Sequence, residues 1–482
     1  MHVHVVAVSG TGMGSLAVLL SALGHEVSGS DLRFDPPMGQ VLRDANIRLY
    51  RGFDSAHLSP TPDLVVVGNV CRKDNPEAVA AFERGLRVTH IAGALRELVL
   101  DGTSPLVVTG THGKTTTTAL TAFLLDSVGK RPGFLVGGVP VDFGQSARPA
   151  ALTEPPLPLA GALRRRTPFV LEGDEYDTAY FEKTPKFLHY GAEVAIVTSI
   201  EHDHVDIYPS FDAYQDAFAR FVASIPESGL IVAHAADPNV VEVVTRYARA
   251  PVTYFGIADE LTTVAAHWTA APLPGGPEGT SFDLFAGGVA AGRFHLSMSG
   301  RHNLRNALAA LAAAIEGYGV PSHSLRPALA KFGGVMRRQQ LLGEPGGIFV
   351  IDDFAHHPTA VHQTLLALRQ RYPGGALRAV FEPRSATACR RLHQEQYARA
   401  FDAADAVYLA PLGRVLDLDQ ALDLDRLAAD LRAKGQIAVA YPNIEAIVSA
   451  LGAEAQRGDC IALLSNGTFG GIHETLLAAL AD

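Results

Sequence analysis

The stretch that most constrains the fold reads PLVVTGTHGKTTTTAL and runs from Pro105 to Leu120. An apolar run that opens into glycines and continues as helix-like sequence is typical of a strand, a tight turn and a helix. The turn contains Gly110, Gly113 and Lys114, and a run of threonines follows the lysine. Because the amino end of the helix and the lysine would both direct positive charge at the turn, this stretch predicts a binding site for the phosphates of a nucleoside triphosphate.

The turn is shorter than the common phosphate-binding loop, G-x-x-x-x-G-K-[ST], whose first glycine would fall on Val108 here. The observed spacing, with Gly110, Gly113 and then Lys114 and Thr115, still has a strand before the turn and a helix after it. The alternative is a structural glycine turn with an incidental lysine. The hydroxyl groups directly behind the lysine favour the phosphate site.

Strand-like and helix-like segments alternate along most of the chain, which predicts an α/β fold with parallel sheets. A chain of 482 residues is too long for one hydrophobic core. We expect three domains, which comprise residues 1–102, 103–331 and 332–482. The central domain would resemble a P-loop ATPase, and the two outer domains would be Rossmann-like.

The first expected domain begins with a second glycine-rich turn, SGTGMG, from Ser9 to Gly14. Asp31 follows about 20 residues later, at the spacing of the acid that binds a ribose in dinucleotide-binding folds. The pattern fits NAD or another nucleotide diphosphate, and the residues alone leave both open.

Acidic and histidine side chains follow two further strand-like segments. The segment FVLEGDEYD brings Glu172 to the end of one strand, and VTSIEHDHVDIY brings Glu201 and His204 to the end of another. Ligands of α/β sheets bind beyond the carboxyl ends of the strands, so these side chains should share one cleft with Lys114. Oxygen donors suit Mg²⁺, and a histidine is tolerable at a looser second site. The alternative for each segment is a solvated turn.

Two segments further along carry residues for the rest of a nucleotide site. Asn303 and Asn306 share a face at the start of an alanine-rich helix expected over residues 303–316; helix capping explains one of them and a contact with adenine the other. In the third domain, Arg338 and Asp353 fall at loop positions. An arginine supplied across a cleft can stabilise charge on a transferring phosphoryl group. An interdomain salt-bridge network is the alternative.

Composition argues against several classes of function. The net charge of −10 disfavours a general binder of nucleic acids or membrane surfaces. There is no apolar run of about 18 residues or more, and the N-terminus lacks the basic segment of a signal peptide. Three widely spaced cysteines suit a reducing compartment. We expect a cytoplasmic protein with no nucleic-acid or membrane partner, and its oligomeric state stays open.

A proline-rich segment between residues 149 and 166 ends in Arg164, Arg165 and Arg166. The composition predicts an exposed loop. A contact of the three arginines with a phosphate or a partner is the alternative.

Taken together, these motifs resemble those of the Mur ligase family, the ATP-dependent amide-forming enzymes of peptidoglycan synthesis. The matching motifs are SGTGMG and GSD in the first domain, TGTHGKTTT, EGDEYD, EHDHVD and GRHNLRNALAA in the second, and FGGVMRR, DDFAHHP and SNG in the third. The resemblance implies a three-domain enzyme that uses ATP and Mg²⁺ to join UDP-N-acetylmuramate to an amine through an acyl phosphate.

Some Mur ligases carry a carbamoylated lysine that bridges two Mg²⁺ ions. No lysine occurs between Lys186 and Lys331, so the resemblance points to the branch that contains the L-alanine-adding and the murein-peptide-adding ligases. Residues 382–385 read EPRS, where an L-alanine-adding enzyme would show QPHR. The segments GSDLRFDPPMGQVL, VVVGNV, GVPVDFGQSAR, KFLHYG and SNGTFGGIHETLL also look like the peptide-adding pattern. The implied acceptor is the murein tripeptide L-Ala-γ-D-Glu-meso-diaminopimelate, and ligation of L-alanine in de novo synthesis is the alternative.

The resemblance also implies roles for individual residues. ATP would be bound by Gly110, Thr111, His112, Gly113, Lys114, Thr115, Thr116, Asn303, Arg338 and Asp353. The UDP-sugar would be bound by Gly10, Thr11, Gly12, Met13, Gly14, Ser30, Asp31 and Asn69. Thr115, Glu172 and His204 would hold Mg²⁺, and Lys114, Glu172 and His204 would be the catalytic residues. Arg384 would contact a carboxylate of the peptide.

Two hypotheses from other classes remain open. An NAD-dependent oxidoreductase would use the SGTGMG turn, but it gives no role to Lys114, Glu172 and His204. A non-catalytic nucleotide sensor would bind ATP and release no phosphate.

Overall fold

The computed structural model of the protein describes residues 1–152, 166–262, 264–274, 276–417 and 419–481. The strands in these ranges form three sheets, of five, ten and six strands, and one two-stranded hairpin. Helices cover the faces of the sheets, and this confirms the expected α/β class with parallel strands. Within the same ranges, no helix has the length and apolar character needed to cross a bilayer.

The N-terminal sheet is built from five short strands, β1 (His2–Val6), β2 (Glu26–Asp31), β3 (Arg48–Arg51), β4 (Leu64–Val67) and β5 (Val88–His90). Its helices are α1 (Thr11–Ala22), α2 (Met38–Asp44), α3 (Pro76–Glu83) and α4 (Ile91–Leu98). All strands are parallel, in the order β3-β2-β1-β4-β5. The valines of β1 and β4 are buried, as expected for a parallel sheet with helices on both faces. The glycine-rich turn follows β1, where the strand order reverses, which is the usual ligand site of such sheets.

The central sheet and its hairpin contain β6 (Thr103–Thr109), β7 (Gly133–Leu135), β8 (Ala147–Arg148), β9 (Thr167–Glu172), β10 (Asp177–Ala179), β11 (Glu182–Pro185), β12 (Val194–Val197), β13 (Leu230–His234), β14 (Val252–Ile257), β15 (Trp268–Pro272), β16 (Thr280–Ala286) and β17 (Val289–Leu296). The helices are α5 (Lys114–Ser127), α6 (Phe211–Ser224), α7 (Pro238–Tyr247), α8 (Arg301–Ala312) and α9 (Ser322–Leu329). The expected helix over residues 303–316 is α8 followed by a π-helical turn, Ala313–Gly317.

Strand order in the central sheet decides which loops meet. The order is β17-β16-β15-β14-β13-β12-β6-β9-β7-β8, and β6 pairs in parallel with both β9 and β12. The loops that follow β9, β6 and β12 therefore leave the sheet side by side at one edge. These are the loops that carry Glu172, Lys114 and His204.

The C-terminal sheet contains β18 (Gln340–Gly343), β19 (Phe349–Asp353), β20 (Leu377–Phe381), β21 (Ala406–Leu409), β22 (Ile437–Ala440) and β23 (Cys460–Leu464). The helices are α10 (Pro358–Arg371), α11 (Gln394–Ala400), α12 (Leu424–Ala433), α13 (Ile444–Glu454) and α14 (Ile472–Ala481). Five strands are parallel, and β18 is an antiparallel edge strand next to β19. The boundaries of the three domains stay a prediction.

Most of the proline-rich segment, residues 153–165, lies outside the described residues, and so do Arg164 and Arg165. The third arginine, Arg166, pairs with Glu193 at 3.1 Å on the surface of the central sheet. The hypothesis of a phosphate or partner contact by these arginines therefore stays a prediction.

Candidate active site

The turn between β6 and α5 has a backbone that only glycine adopts readily. Gly110 has φ of 128° and Gly113, the residue that caps α5, has φ of 80°. A Cβ atom on Gly110 would lie 2.2 Å from Thr198 Oγ1, and one on Gly113 would lie 2.3 Å from Asn306 Oδ1. The two glycines therefore let the turn approach neighbouring elements closely. The N–H groups of Thr111 and His112 donate to Ser199, so an anion would be bound by the N–H groups at the amino end of α5.

Lys114 bridges the turn to the loop after β9. Its Nζ donates hydrogen bonds to Gly110 O at 2.6 Å and to Glu175 Oε1 at 3.0 Å, and it lies 3.4 Å from Thr111 O. The ammonium is largely buried beside a fully buried carboxylate. Lys114 is thus held at the mouth of the turn, where the phosphates of a nucleotide are expected.

Thr115 and Glu172 form a second polar pair next to the lysine. Thr115 Oγ1 donates to Glu172 Oε1 at 2.8 Å, and Gly137 N–H donates to the other oxygen, Oε2, at 2.6 Å. From the C-terminal sheet side, Arg338 Nη2 donates to Thr115 Oγ1 at 3.2 Å, and its guanidinium stacks over the ring of Phe354. A residue from each side of the cleft therefore contacts the same hydroxyl group.

His204 joins this group through Glu175. His204 Nε2 lies 3.3 Å from Glu175 Oε1, and Asp203 Oδ1 accepts a hydrogen bond from His204 N–H at 2.7 Å. The backbone of His204 is in the left-handed region, with φ of 52°, a strained conformation for a residue with a side chain. Burial would lower the pKa of His204, but Glu175 and Asp203 together raise it above its ordinary value. Burial alone would raise the pKa of Glu175, but Lys114 and His204 lower it to about 2.

A cavity of about 610 Å³ lies between the central and C-terminal sheets, beside the glycine turn. Its lining includes six of the residues predicted to bind ATP, namely His112, Gly113, Thr116, Asn303, Arg338 and Asp353. Asn303 Nδ2 donates to Ser299 O at 2.8 Å, which fixes its amide at the start of α8. Asp353 is buried, and its oxygens accept hydrogen bonds from Gln339 N–H and Ala355 N–H, both at 2.7 Å. The cavity has the position and size of a nucleotide site.

A second cavity, of about 280 Å³, lies between the N-terminal and central sheets. Five residues predicted to bind the UDP-sugar line it, namely Gly10, Thr11, Gly12, Met13 and Asn69, and Glu172 lies at its other wall. The structure does not bring Gly14, Ser30 and Asp31 into this cavity. Gly14 packs against Met38, the Ser30 hydroxyl donates to Glu77, and Asp31 accepts hydrogen bonds from Ser9 N–H and Leu32 N–H. Asp31 therefore supports the turn through Ser9 N–H, while Gly14 and Ser30 contact α2 and α3.

A third cavity, of about 450 Å³, brings His204 together with Arg384. Its lining also includes Tyr176 and Asp206 from the central part of the chain and Arg414 from the C-terminal part. Two glycines make room for Arg384, because a Cβ atom on Gly467 or Gly413 would lie 2.1 Å or 2.8 Å from its aliphatic stem. The cavity therefore offers guanidinium groups for an anionic ligand next to the imidazole.

Two acids of the site, Glu175 and Glu201, lie in the motifs EGDEYD and EHDHVD, but the sequence alone gave neither of them a specific role. Glu175 is the buried carboxylate between Lys114 and His204, described above. Glu201 Oε2 accepts a hydrogen bond from Thr359 Oγ1 at 2.7 Å and lies 3.3 Å from His112 Nε2. It therefore connects the glycine turn to the first turn of α10 across the cleft. The motifs contained both acids, but which acid faces inward depends on the path of each loop.

Comparison with known proteins identifies the family. Sequence profiles described as Mur ligase family, catalytic domain; Mur ligase middle domain; and Mur ligase, glutamate ligase domain match residues 2–102, 108–314 and 337–467. A curated protein of Haemophilus influenzae, named UDP-N-acetylmuramate–L-alanyl-γ-D-glutamyl-meso-2,6-diaminoheptandioate ligase, is 36% identical, and the alignment covers 99% of both chains. The chain belongs to the Mur ligase family. This confirms the resemblance inferred from the motifs.

Two further relatives bear on the branch of the Mur ligase family. The crystal structure of a murein peptide ligase from Psychrobacter arcticus is 34% identical, with a TM-score of 0.73, over 100% of this chain and 99% of that one. A UDP-N-acetylmuramate–L-alanine ligase of Roseiflexus sp. is 35% identical over 84% of each chain. Mur ligases are ATP-dependent amide ligases, so the chain is an enzyme of this class.

Proposed function

We propose that this Mur ligase joins UDP-N-acetylmuramate to L-Ala-γ-D-Glu-meso-diaminopimelate with ATP, in the cytoplasm, as a step of peptidoglycan recycling. The observation that carries the proposal is that Lys114, Glu172 and His204 belong to one cluster of polar contacts and that three cavities lie next to this cluster. Gly113, the neighbour of Lys114, lines the first cavity, Glu172 lines the second and His204 lines the third. One cavity is available for each of the three substrates. The near full-length similarity to proteins named as ligases of this tripeptide supports the choice of acceptor.

The chemistry requires ATP because a carboxylate has no leaving group that an amine can displace at neutral pH. The lactyl carboxylate of UDP-N-acetylmuramate attacks the γ-phosphorus of ATP, the bond to the bridging oxygen breaks, and ADP leaves. The peptide amine then attacks the acyl carbon, the bond to the phosphate oxygen breaks, and the amine loses a proton. The product is an amide and inorganic phosphate.

The residues of this chain would stabilise the negative charge of the phosphates and hold the substrates in position. The N–H groups at the amino end of α5 and the Lys114 ammonium would hold the β- and γ-phosphates, and Arg338 would add positive charge from the other wall. Asn303 would contact the adenine. Gly10, Gly12 and their neighbours would hold the UDP group next to Glu172.

The donor set of Thr115 and Glu172 fits Mg²⁺. Thr115 Oγ1 and Glu172 Oε1 lie 2.8 Å apart and are joined by a hydrogen bond, so the two oxygens are close enough to bind one ion. Both are hard oxygen donors, which this ion prefers. His204 would support a second ion. When bound, the ion would neutralise negative charge on the phosphate oxygens.

The acceptor can be tested by offering the tripeptide and L-alanine separately, each with ATP, Mg²⁺ and UDP-N-acetylmuramate. We expect the tripeptide to be ligated and L-alanine to react at less than about one-tenth of that rate, because a site built for several charged groups is left with unpaired groups by a small substrate. Mass detection of the UDP-linked product gives the readout. Exclusive use of L-alanine would instead make this an enzyme of de novo synthesis.

A substitution at Arg384 tests whether the third cavity binds the peptide. A charge-assisted hydrogen bond contributes about 1.5–3 kcal/mol, so Arg384→Ala should raise KM for the tripeptide about 10- to 100-fold. KM for ATP and for UDP-N-acetylmuramate should stay unchanged. Arg426→Ala is the matched control, since Arg426 is a half-exposed arginine on helix α12 that pairs with Glu395 and does not line the third cavity. An equal rise in KM for the tripeptide in both variants would show that Arg384 does not bind the peptide.

A further inference from the structure

Glu175 is a buried carboxylate that stands at the junction of the three loops of the site. It has no exposed surface, and one of its oxygens, Oε1, is approached by Lys114 Nζ at 3.0 Å, His204 Nε2 at 3.3 Å and Tyr214 OH at 2.9 Å. A second tyrosine, Tyr208, donates to the main-chain oxygen of Glu175 at 2.6 Å. The loops after β6, β9 and β12 thus share a single oxygen atom.

Stability alone does not account for a carboxylate at this position. Oε2 of Glu175 has no hydrogen-bond partner among the described residues. Taking a charge out of water costs several kcal/mol, and a buried ion pair with unsatisfied atoms is a poor source of stability compared with apolar packing. The arrangement is better explained by what the charge does to the two side chains that face it.

The first effect concerns the imidazole. In the neutral form of His204, a negative oxygen opposite Nε2 favours the tautomer that carries its proton on Nε2 and leaves the lone pair on Nδ1. A carboxylate behind an imidazole commonly fixes the ring in this way for a ligand or a proton on the other nitrogen. His204 lines the third cavity, so the free lone pair belongs to a side chain of the proposed peptide site.

The second effect concerns the lysine. The ammonium of Lys114 has two other acceptors, Gly110 O and Thr111 O, which both belong to the glycine turn. Glu175 accepts a hydrogen bond from Lys114 Nζ and lies outside the turn, so it determines the direction in which the ammonium points. Through one oxygen, Glu175 therefore fixes the positions of Lys114 and His204 relative to each other.

We propose that Glu175 is a positioning residue that sets the tautomer of His204 and orients Lys114 before the substrates react. The inference rests on the proposed function for its catalytic consequence, but the tautomer is a property of the protein itself. Glu175 contacts no substrate in this proposal and acts through the two side chains that it holds.

The first experiment measures the tautomer of His204 in the wild-type protein by long-range ¹H–¹⁵N correlation. The spectrum is recorded at increasing pH until the signals of His204 no longer shift, so that its ring is neutral. The signal is assigned as the one that is missing from His204→Gln. We expect the proton on Nε2, and a proton on Nδ1 would overturn the proposal whether or not the protein proves to be a peptide ligase. No variant of Glu175 is needed for this result.

The second experiment compares Glu175→Gln with Tyr214→Phe. The first variant removes the charge and keeps the shape, while the second removes a neutral donor to the same oxygen and keeps the charge. We expect Glu175→Gln to shift the tautomer of His204 and to lower kcat by about 10- to 100-fold, with KM for UDP-N-acetylmuramate unchanged. Tyr214→Phe should leave the tautomer as in the wild type. The same tautomer in both variants, or an equal loss of kcat, would mean that Glu175 only supports the core.

Discussion

Replacing Lys114 with alanine is expected to lower the rate of phosphate release by about 10²- to 10³-fold, the cost of removing one preorganised group that stabilises charge in a transition state. Lys114 lies at the mouth of the glycine turn and at the amino end of α5, where the terminal phosphates of ATP are expected. The rate is measured with ATP, UDP-N-acetylmuramate and the tripeptide. Binding of UDP-N-acetylmuramate should be unchanged, because Lys114 is not part of the cavity between the N-terminal and central sheets.

The same substitution leaves Glu175 without its ammonium partner. A buried acceptor that loses its donor costs about 1–3 kcal/mol, so thermal unfolding should be followed beside activity. The matched control is Lys130→Ala, which removes a lysine just beyond the other end of α5. We expect this control to keep both activity and melting temperature. Turnover by Lys114→Ala equal to that of the wild type would place the phosphates elsewhere.

The sequence predicted the position of site residues best where polar side chains come directly after a buried strand. Parallel strands that are buried on both faces have continuous apolar runs, so β6, β9 and β12 could be recognised and their following loops expected at one edge. The structure does bring Lys114, Glu172 and His204 to neighbouring loops. It also brings Gly10, Thr11, Gly12, Met13 and Asn69 into one cavity with Glu172.

The residues that the sequence left undecided depend on non-local geometry. Ser30 and Asp31 end strand β2, where a ribose-binding acid is expected. The Ser30 hydroxyl donates to Glu77, however, and the Asp31 carboxylate accepts hydrogen bonds from Ser9 N–H of the turn and from Leu32 N–H. Among the acids after β9, Glu175 turns inward because Lys114 and Tyr214 from two other segments meet it there. Strands β15, β16 and β17 extend the central sheet, and β16 and β17 pair antiparallel. The Gly287-Gly288 turn between β16 and β17 is a local hairpin signal, whereas the position of this hairpin at the edge of the sheet depends on the pairing of β16 with β15.

The second large effect is expected from Gly113→Ala. The substitution forces a side chain into the left-handed region, which costs about 1–2 kcal/mol, and its Cβ atom would lie 2.3 Å from Asn306 Oδ1. Either the start of α5 or the start of α8 must move, and both line the cavity that we propose for the nucleotide. A displacement of about 1 Å in a positioned group can reduce the rate about 100-fold. We therefore expect kcat/KM for ATP to fall by about that factor.

Gly129→Ala separates the clash from the backbone strain. Gly129 lies just after the other end of α5 with φ of 75°, nearly the same as the 80° of Gly113, and a Cβ atom there would meet nothing within 4 Å. Both variants should lose a similar amount of stability from the left-handed backbone, measured as the free energy of unfolding in urea. Only Gly113→Ala should lose ATP turnover, because only its Cβ atom pushes against the wall of the cavity. Equal activity in the two variants would show that the close approach of α5 and α8 is not required for binding the nucleotide.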